Sequence, residues 1–519
     1  MKRLFQLMMM LLASVASFSC GGDDEVNDAP STPPTSSVNL LFQSITEGTE
    51  LDAAATNVLS LTYNCAVKVT GSGITLNGAS VAATANATKV EVPLVLEDGK
   101  NYTLKIAKGA VVSAADNTIS AAEFTLNFST KAKTQPGTTN NDATTLAKKL
   151  GWGWNLGNHF DTSSGEDGKH PQWGYWDNAT PTQALYANLK KAGASTVRIC
   201  TTWGNYQDTQ TWEIEANYMA EVKQNVEWAE AAGLNVILNL HHDEYWLDIK
   251  GAANNATLNT AIKERIEKTW KQIAETFKDK GDFLFFESFN EIQDGKWGWG
   301  DNRTDGGKQY RTLNEWNQLV VNTIRATGGN NATRWIGIPG YASSPSFALE
   351  DSFVLPTDNA NRLMVSVHFY DPNTFTLSPE DNGGKSEWGH TAAAGKFEQG
   401  TNEDHVVDLF SKLYNKFIAK NIPVYIGEYG CVMHKSDRSN LFRSYYLEYV
   451  CRAAHTYNMP VCIWDNNVTG GGNEHHAYFD HNDGSYQAGM ESLVQTMIKA
   501  ATSDDATYTL DAIYNNAPK

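Results

Sequence analysis

The sequence predicts an α/β chain whose main domain is a (β/α)8 barrel, or TIM barrel, preceded by a small all-β sandwich. Three observations support this fold class: eight largely continuous apolar runs between residues 142 and 505, helical periodicity between those runs, and a different, glycine-punctuated pattern in residues 38–130. Continuous apolar runs are typical of parallel strands that helices cover, and eight strand–helix units are the plan of a (β/α)8 barrel. A doubly wound open sheet is the alternative, but no GxGxxG motif follows the first run.

The first twenty residues have the layout of an export signal. Two basic residues precede an apolar stretch at residues 4–12, and small residues lead up to Cys20. This stretch is too short to span a bilayer. Residues 17–21, SFSCG, resemble a bacterial lipoprotein cleavage box, although Ser17 stands where leucine is preferred, and the GGDDE that follows Cys20 resembles the export signal of surface lipoproteins. We expect a signal peptide in residues 1–19, a lipid anchor on Cys20 and attachment to the outer membrane at the cell surface; an ordinary secretory peptide is the alternative.

Changes in composition divide the rest of the chain. Residues 20–37 are polar and rich in Pro, Ser and Thr, so they bury too little apolar surface to fold and predict a flexible tether. Residues 38–130 contain short alternating runs that predict a β-sandwich. This stretch resembles a bacterial immunoglobulin-like domain, with a spacer role favoured over glycan binding. Residues 131–141 are a linker with a Pro-Gly pair, and residues 142–519 are the predicted catalytic barrel domain.

Within the barrel domain, predicted strands alternate with predicted helices. Ile262, Ile266, Trp270, Ile273 and Phe277 are spaced by three or four residues and make one apolar stripe, which indicates a helix. The predicted strands are residues 152–157, 195–200, 235–242, 283–291, 333–340, 362–370, 423–430 and 460–465.

Charge and aromatic content indicate the kind of partner. The 519 residues carry a formal net charge of −18, which would repel a nucleic acid. Fifteen tryptophans and 21 tyrosines offer flat faces that suit uncharged sugar rings, although most aromatic residues belong to cores. Seven tryptophans lie in predicted loops, and we expect about half of them to pack within the loops and the others to line glycan subsites: Trp173, Trp176, Trp203, Trp246, Trp297, Trp299 and Trp388. We expect a neutral polysaccharide as partner, no nucleic acid, and a monomer.

The sequence does not indicate a metal or a cofactor. Five cysteines follow Cys20 without a CxxC pair, so neither a disulfide framework nor a zinc cluster is predicted. His241 and His242 begin an HHDE run, but consecutive side chains at a strand end point in alternating directions. We therefore expect these histidines not to converge on one ion.

The predicted strand ends are unusually polar, and in (β/α)8 barrels the active site lies at the C-terminal ends of the strands. Cleavage of a glycosidic bond needs one carboxylic acid and one carboxylate, and Glu291 and Glu428, on the fourth and seventh strands, can aim at a common point. Arg198 and Tyr370 are suitable donors to Glu428. The candidate site residues are Asn155, Arg198, His241, His242, Asn290, Glu291, His368, Tyr370, Glu428 and Trp464.

The fourth strand, FLFFESFNE, carries a second acid. Because side chains alternate along a strand, Glu287 and Glu291 are predicted to share one face, with Glu287 about 13 Å deeper in the barrel. An ionised carboxylate without partners is costly to bury. We predict that Glu287 is a buried structural partner, with Arg198 as its candidate mate, and that only Glu291 has access to substrate.

An ordered set of motifs resembles glycoside hydrolase family 5 over roughly residues 142–505. The motifs are NE at 290–291, HFY at 368–370, GEYG at 427–430 and IWD at 463–465. The stretches GWNLGNHFD and LHHD, and VHFYDPNTFTL followed by EWGH, are similar to its subfamily 4, whose members are mostly endo-β-1,4-glucanases and xyloglucanases. Two departures, IWDNN for WWDNG and HFY for HYY, fall near expected sugar contacts.

The resemblance implies that Glu291 is the acid/base and Glu428 the nucleophile of a retaining double displacement. The implied activity is endo-hydrolysis of β-1,4-glucosidic bonds in plant β-glucans such as xyloglucan. A β-mannanase, a mixed-linkage glucanase and a noncatalytic glycan-binding protein are the alternatives. The resemblance also implies supporting roles for Asn290 at the sugar 2-hydroxyl, Arg198 and Tyr370 beside Glu428, His241 and His368 around the cleavage subsite, and Trp464 as its stacking platform.

Overall fold

The computed structural model describes residues 37–51, 56–97, 99–130, 143–167, 169 and 171–519. These residues belong to two compact units on either side of the boundary between Lys133 and Thr134. The predicted signal peptide, the predicted lipid site at Cys20, the linker and all of the tether except Ser37 lie outside the described residues. Of the helices that the structure describes, none has both the length and the apolar character that crossing a membrane requires.

The first unit is an all-β unit, as predicted. Its described strands are β1 (Leu40–Gln43), β2 (Glu50–Leu51), β3 (Val58–Tyr63), β4 (Val67–Val69), β5 (Ile74–Leu76), β6 (Ala79–Ser80), β7 (Thr84–Asn86), β8 (Lys89–Pro93), β9 (Asn101–Ile106), β10 (Val111–Ser113) and β11 (Phe124–Thr130). They form a sheet in the order β1-β3-β8-β7, a second sheet in the order β2-β11-β9-β5-β6, and the pair β10-β4. Alternate side chains of β3, namely Leu59, Leu61 and Tyr63, are buried, as expected for a strand with one face on a core. The immunoglobulin-like assignment remains a prediction.

The second unit is a closed barrel of eight parallel strands, which confirms the predicted fold class. The strands are β12 (Trp152–Leu156), β13 (Thr196–Ile199), β14 (Asn235–Asn239), β15 (Leu284–Glu287), β16 (Ile336–Pro339), β17 (Leu363–Phe369), β18 (Val424–Tyr429) and β19 (Val461–Ile463). Each strand pairs with its successor in the chain, and β12 pairs with β19 to close the barrel. The barrel excludes the doubly wound alternative.

Helices connect the barrel strands. The α-helices are α1 (Ala143–Leu150), α2 (Gln183–Ala192), α3 (Ala216–Ala231), α4 (Ile249–Asn254), α5 (Ala256–Phe277), α6 (Lys308–Ala326), α7 (Pro345–Ala348), α8 (Asn373–Thr376), α9 (Glu403–Lys416), α10 (Asp437–Thr456), α11 (Glu491–Thr502) and α12 (Leu510–Asn515). Short 3-10 helices lie at Gly204–Tyr206, Asp301–Arg303, Gly329–Ala332, Tyr341–Ser343, Glu380–Asn382 and Ile418–Lys420.

Helix α5 illustrates how the sequence specifies this packing. All five residues of the apolar stripe predicted from the spacing are buried, and full burial of such side chains stabilises a fold by about 1.5–3 kcal/mol each. The side chain of Asn255 accepts hydrogen bonds from the backbone N–H groups of Thr257 and Leu258. This cap satisfies donors of the first turn that have no partner within the helix.

The barrel strands are shorter than the predicted runs, and the difference determines where the polar residues lie. Strand β15 ends at Glu287, where its pairing with β16 stops, whereas the predicted run continued to Glu291. The prediction that Glu287 and Glu291 share one strand face is therefore wrong. Asn290 and Glu291 belong to the following loop, whose direction is not constrained by sheet hydrogen bonds.

Candidate active site

Arg198 is the centre of a polar cluster inside the barrel. It lies on β13, and its side chain is fully buried. Its Nη1 donates to Glu428 Oε1 at 2.8 Å, and its Nη2 donates to Glu287 Oε1 at 2.6 Å. The same two nitrogens also donate to Asn155 Oδ1 at 3.0 Å and to Asn290 Oδ1 at 2.6 Å. Because a guanidinium offers several donors in a fixed plane, one cation holds four side chains from three parts of the chain.

Glu287 is surrounded by donors. Besides Arg198, Asn239 Nδ2 donates to its Oε1 at 3.1 Å, and the Ser366 hydroxyl, at 3.2 Å, and the Tyr425 hydroxyl donate to its Oε2. Burial alone would raise the pKa of this carboxyl, but the charge and hydrogen bonds of Arg198 hold the pKa below its ordinary value. The prediction that Glu287 is a buried structural partner, with Arg198 as its mate, is confirmed. We call Asn239, Glu287, Ser366 and Tyr425 the inner layer.

Glu428, on β18, is the predicted nucleophile, and it is buried. Both donors predicted for it are in place, because Tyr370 donates its hydroxyl to Oε2 at 3.1 Å and Arg198 contacts Oε1. These two donors do not cancel the effect of burial on the pKa of Glu428. Burial raises this pKa above its ordinary value, although His368 and Arg198 oppose the rise. The carboxylate therefore lies in a site that stabilises its charge only in part.

Glu291 is the predicted acid/base, and it lies against His368. Its Oε1 is 2.6 Å from His368 Nδ1. Burial, reinforced by the negative charge of Glu244, raises the pKa of Glu291 to about 8. Burial also lowers the pKa of His368 to about 4. At neutral pH a protonated Glu291 thus donates to a neutral imidazole.

The two candidate catalytic carboxyl groups are close together. Ligand atoms of Glu291, His368 and Glu428 all lie within 4.8 Å of one another. We call these three residues and Tyr370 the mouth. One of its carboxyl groups is protonated at neutral pH and the other has Arg198 as a partner, so the pair offers a proton donor and a negatively charged oxygen side by side.

His241 and Trp464 form a stacked pair beside Glu428. Their ring centroids are 5.8 Å apart with nearly parallel planes. His241 Nε2 lies 3.9 Å from Glu428 Oε1, and burial lowers the pKa of His241 well below its ordinary value. A neutral imidazole and an indole face are suited to a sugar ring that carries no charge.

His242 stands at the edge of the cluster rather than inside it. Its ring is 5.9 Å from that of Trp176, and its Nδ1 is 3.5 Å from Glu244 Oε1. Burial would lower the pKa of His242, but Glu244 raises it to about 9. The structure therefore brings together nine of the ten predicted site residues around Arg198 and Glu428, and their catalytic and binding roles remain predictions.

Two sets of three side chains bring possible metal ligands within 4.8 Å of one another: Asp161, His241 and His242, and the mouth residues Glu291, His368 and Glu428. The expectation that the side chains of His241 and His242 point in different directions is wrong, because their rings lie 4.5 Å apart with planes at 83° and both reach one region. The expectation that they do not hold a metal ion remains a prediction. The hydrogen bonds of Arg198, Tyr370 and His368 already account for the placement of the second set.

Asp161 is a buried acid near the site that the strand-end argument did not single out. Its Oδ2 accepts a hydrogen bond from the backbone N–H of Asn158 at 3.0 Å, and its Oδ1 has no hydrogen-bond partner among the described residues. Burial raises its pKa. The signal was present, since Asp161 ends the GWNLGNHFD stretch that follows the first barrel strand.

Comparison with known proteins decides the class of molecule. The family model described as cellulase (glycosyl hydrolase family 5) matches residues 157–470, which is more than half of the chain. The chain belongs to this family. The family recognised from the motifs is thereby confirmed, and the chain is a glycoside hydrolase.

Relatives of this family 5 enzyme include endoglucanases and xyloglucanases. Endoglucanase A of Paenibacillus barcinonensis is 31% identical over 348 residues, which cover 63% of this chain and 83% of the relative. The structure of a GH5-4 broad specificity endoglucanase from Bacteroides salanitronis has 44% identity and a TM-score of 0.67, over 71% of this chain and 97% of that one. A Bacteroides ovatus GH5 xyloglucanase, solved in complex with a XXXG heptasaccharide, has 26% identity and a TM-score of 0.64, over 89% of this chain and all of that one.

Exposed tryptophans lie on two loops of the family 5 barrel. Trp297 and Trp299 follow Glu291 on the loop after β15 and are 58% and 76% exposed. Trp176, on the loop after β12, is 37% exposed. Exposed aromatic faces of this size are suited to stacking against sugar rings.

Proposed function

We propose that this enzyme hydrolyses internal β-1,4-glucosidic bonds of plant β-glucans with retention of configuration, and that xyloglucan is its natural substrate. The observation that carries the proposal is the pair of carboxyl groups of Glu291 and Glu428. Their nearest oxygens lie within 4.8 Å of each other, and the pKa of Glu291 is raised to about 8. Retaining glycosidases hold their two carboxyl groups about 5–5.5 Å apart, whereas inverting enzymes need about 6.5–9.5 Å to admit a water molecule. The short separation supports a double displacement.

In the first step Glu291 donates its proton to the glycosidic oxygen as the bond to the anomeric carbon breaks, and an oxygen of Glu428 bonds to that carbon. In the free enzyme this proton is held against His368 Nδ1. In the second step the Glu291 carboxylate takes a proton from water, the water oxygen bonds to the anomeric carbon, and the ester to Glu428 breaks. Because each step inverts the anomeric carbon, the product keeps the β configuration.

Three features support a glucan polymer as the substrate. The relatives and solved structures include endoglucanases and a xyloglucanase. Exposed Trp176, Trp297 and Trp299 offer stacking faces on the loops after β12 and β15. A net charge of −18 favours an uncharged polysaccharide over an acidic one.

The test is hydrolysis of a panel of xyloglucan, carboxymethyl cellulose, barley β-glucan and glucomannan, assayed by reducing ends. Proton NMR of the first product from a defined oligosaccharide identifies the anomer. We expect the highest kcat/KM on xyloglucan and a β-anomer that mutarotates later. Activity confined to mannan, highest activity on barley β-glucan, or an α-anomer as first product would each contradict the proposal. Binding without turnover, equal in the wild type and Glu428→Gln, would support the noncatalytic alternative.

We also propose that Cys20 carries a lipid that attaches the enzyme to the outer surface of the outer membrane, with residues 38–130 acting as a spacer. The SFSCG box and the acidic GGDDE stretch support this location. In cells, the wild type should incorporate labelled palmitate and be cleaved by external protease, whereas Cys20→Ala should incorporate no label. Labelling of Cys20→Ala, or a protected wild type, would contradict the proposal.

A further inference from the structure

Arg198 shares one positive charge between two carboxylates, and the sharing is unequal. Its Nε lies 3.3 and 3.2 Å from the two oxygens of Glu287, and its Nη2 lies 2.6 Å from Oε1. Only Nη1, at 2.8 Å, faces Glu428. Two nitrogens of the guanidinium therefore contact Glu287 in the inner layer, and one contacts Glu428 in the mouth.

The other residues of the inner layer keep Glu287 ionised, so that Glu287 can keep its contacts with Arg198. A carboxylate only accepts hydrogen bonds, and the groups around Glu287 are donors: Asn239 Nδ2, the Ser366 hydroxyl and the Tyr425 hydroxyl. Glu287 is fully buried and faces no other acid of the inner layer. Its negative charge is therefore a fixed part of the field that reaches the mouth.

From these contacts we propose that Glu287 is a positioning residue, which holds Arg198 by two nitrogens and so limits how much of its positive charge stabilises the Glu428 carboxylate. The inference rests on the proposed function in assigning the nucleophile role to Glu428. A carboxylate that is stabilised too strongly is a weaker nucleophile and a better leaving group. Glu287 thus favours attack on the glycosidic bond, at some cost to release of the glycosyl ester.

Other titratable and charged groups also face Glu428, and the charge of Glu287 acts on three of them, His368, Cys200 and Cys462, without a hydrogen bond. These groups come from five of the barrel strands or from the loops that follow them. They are Arg198, Cys200, His241, Glu291, His368, Tyr370 and Cys462. Of these groups, Arg198 is the one that also contacts Glu287 through hydrogen bonds. A change at Glu287 therefore reaches Glu428 mainly through the guanidinium.

The test is direct titration of Glu428 by carbon-13 NMR of labelled glutamate carboxyls in the full chain, with the signal assigned by its loss in Glu428→Gln. In Glu287→Gln we expect the Glu428 midpoint to fall by about one pH unit, because an opposite charge a few ångströms away lowers a carboxyl pKa by about 1–3 units. Loss of packing alone predicts the reverse, since a loosened Arg198 would leave Glu428 less stabilised. A midpoint that rises or stays unchanged would overturn the proposal.

Two further variants keep the test decisive. Glu287→Asp retains the charge, so its Glu428 midpoint should return toward the wild-type value. Tyr425→Phe removes a donor to Glu287, which should then draw Arg198 more strongly and move the Glu428 midpoint upward. If Glu287→Gln does not fold, Tyr425→Phe decides, and a downward shift or no shift in it would overturn the proposal.

Kinetics separate this inference from the proposed function. In Glu287→Gln, kcat should fall several-fold on an aryl cellobioside with a poor leaving group, where attack limits the rate, and much less on one with a good leaving group, where ester release limits it. Equal losses on both substrates would contradict the inference. If the wild type hydrolyses no β-glucan, the proposed function fails, while the NMR titration still tests the sharing of Arg198.

Discussion

Glu287 in the inner layer is fully buried, Glu291 in the mouth of the barrel is partly buried, and the two glutamates are held in opposite protonation states. Glu287 in the inner layer has a pKa below its ordinary value, whereas the pKa of Glu291 in the mouth is raised to about 8. Burial favours the protonated form of both groups. The difference comes from their partners, because four side chains donate to Glu287, whereas Glu291 faces a neutral His368 and the negative charge of Glu244.

The comparison also extends to polar atoms without partners. Both oxygens of Glu287 are satisfied, but in the described structure His368 Nε2 in the mouth and Oδ1 of the neighbouring Asp161 are buried without a hydrogen-bond partner. Such groups cost free energy in the folded protein, and they are typical of sites that complete their contacts with a ligand. The inner layer thus has its hydrogen bonds complete, whereas the mouth and its neighbour Asp161 retain polar atoms that a ligand could contact.

Removal of the mouth nucleophile should have the largest effect on activity. In Glu428→Ala we expect kcat on β-glucan to fall by roughly 10⁴- to 10⁶-fold, the range found when a nucleophile or its partner is removed from another hydrolase. Azide added to this variant should restore turnover of an activated aryl cellobioside and give the α-glycosyl azide. A variant that keeps more than a tenth of wild-type kcat would remove Glu428 from the mechanism.

Removal of the mouth acid should have the second largest effect. In Glu291→Ala we expect a loss of roughly 10²- to 10⁴-fold on polysaccharide, the usual contribution of general acid–base catalysis. The loss in the attack step should be much smaller with a dinitrophenyl leaving group, which needs no proton, and azide should yield the β-glycosyl azide. An equal loss of the attack step for good and poor leaving groups would show that Glu291 is not the acid.

The inner layer and the mouth also differ in how far the sequence predicts them. Glu287 lies within a strand, where alternation and the cost of a buried charge predict both its burial and its partner Arg198. Glu291 lies beyond the strand, so strand geometry placed it wrongly although its motif was recognised. The eight strands can be predicted from the apolar runs, because a parallel strand that is buried on both faces is itself a nearly continuous run of apolar residues.

Other features depend on distances between remote segments, and spacing alone did not reveal them. The convergence of His241 and His242 depends on how the loop after β14 turns, which strand alternation does not govern. The inner-layer residues Asn239 and Ser366 carried a usable signal, since each is a polar side chain with an apolar residue on either side in the sequence. Their shared partner Glu287 becomes evident only when the barrel closes.

We call the exposed Trp176, Trp297 and Trp299 the rim. Loss of a rim tryptophan should have a smaller effect than loss of a mouth carboxyl. In Trp297→Ala we expect KM on xyloglucan to rise by roughly 2- to 10-fold, since an aromatic contact contributes about 0.5–1.5 kcal/mol. The effect on kcat should be small because the ring lies outside the mouth. A short aryl cellobioside, which does not extend to the rim, serves as the control and should keep its wild-type KM. Equal changes on both substrates would mean that Trp297 acts through the fold rather than through the glycan.

The smallest effect we predict is on stability, and it has opposite signs in the two regions. Folded Glu291 holds its proton up to a pKa of about 8, whereas the unfolded chain releases it near the ordinary pKa of 4.5. Between these pH values the unfolded state binds fewer protons, so wild-type stability falls as pH rises. Glu291→Gln cannot ionise, so its Tm relative to wild type should increase by a few degrees between pH 5 and pH 8.

Glu287 has a lowered pKa and contributes stability that is present above the unfolded pKa and lost as pH falls. Glu287→Gln should therefore be least stable relative to wild type at neutral pH. Thermal unfolding of both variants across this pH range checks the two expectations. If the Tm of the two variants relative to wild type changed with pH in the same direction, the assignment of opposite protonation states to Glu287 and Glu291 would be contradicted.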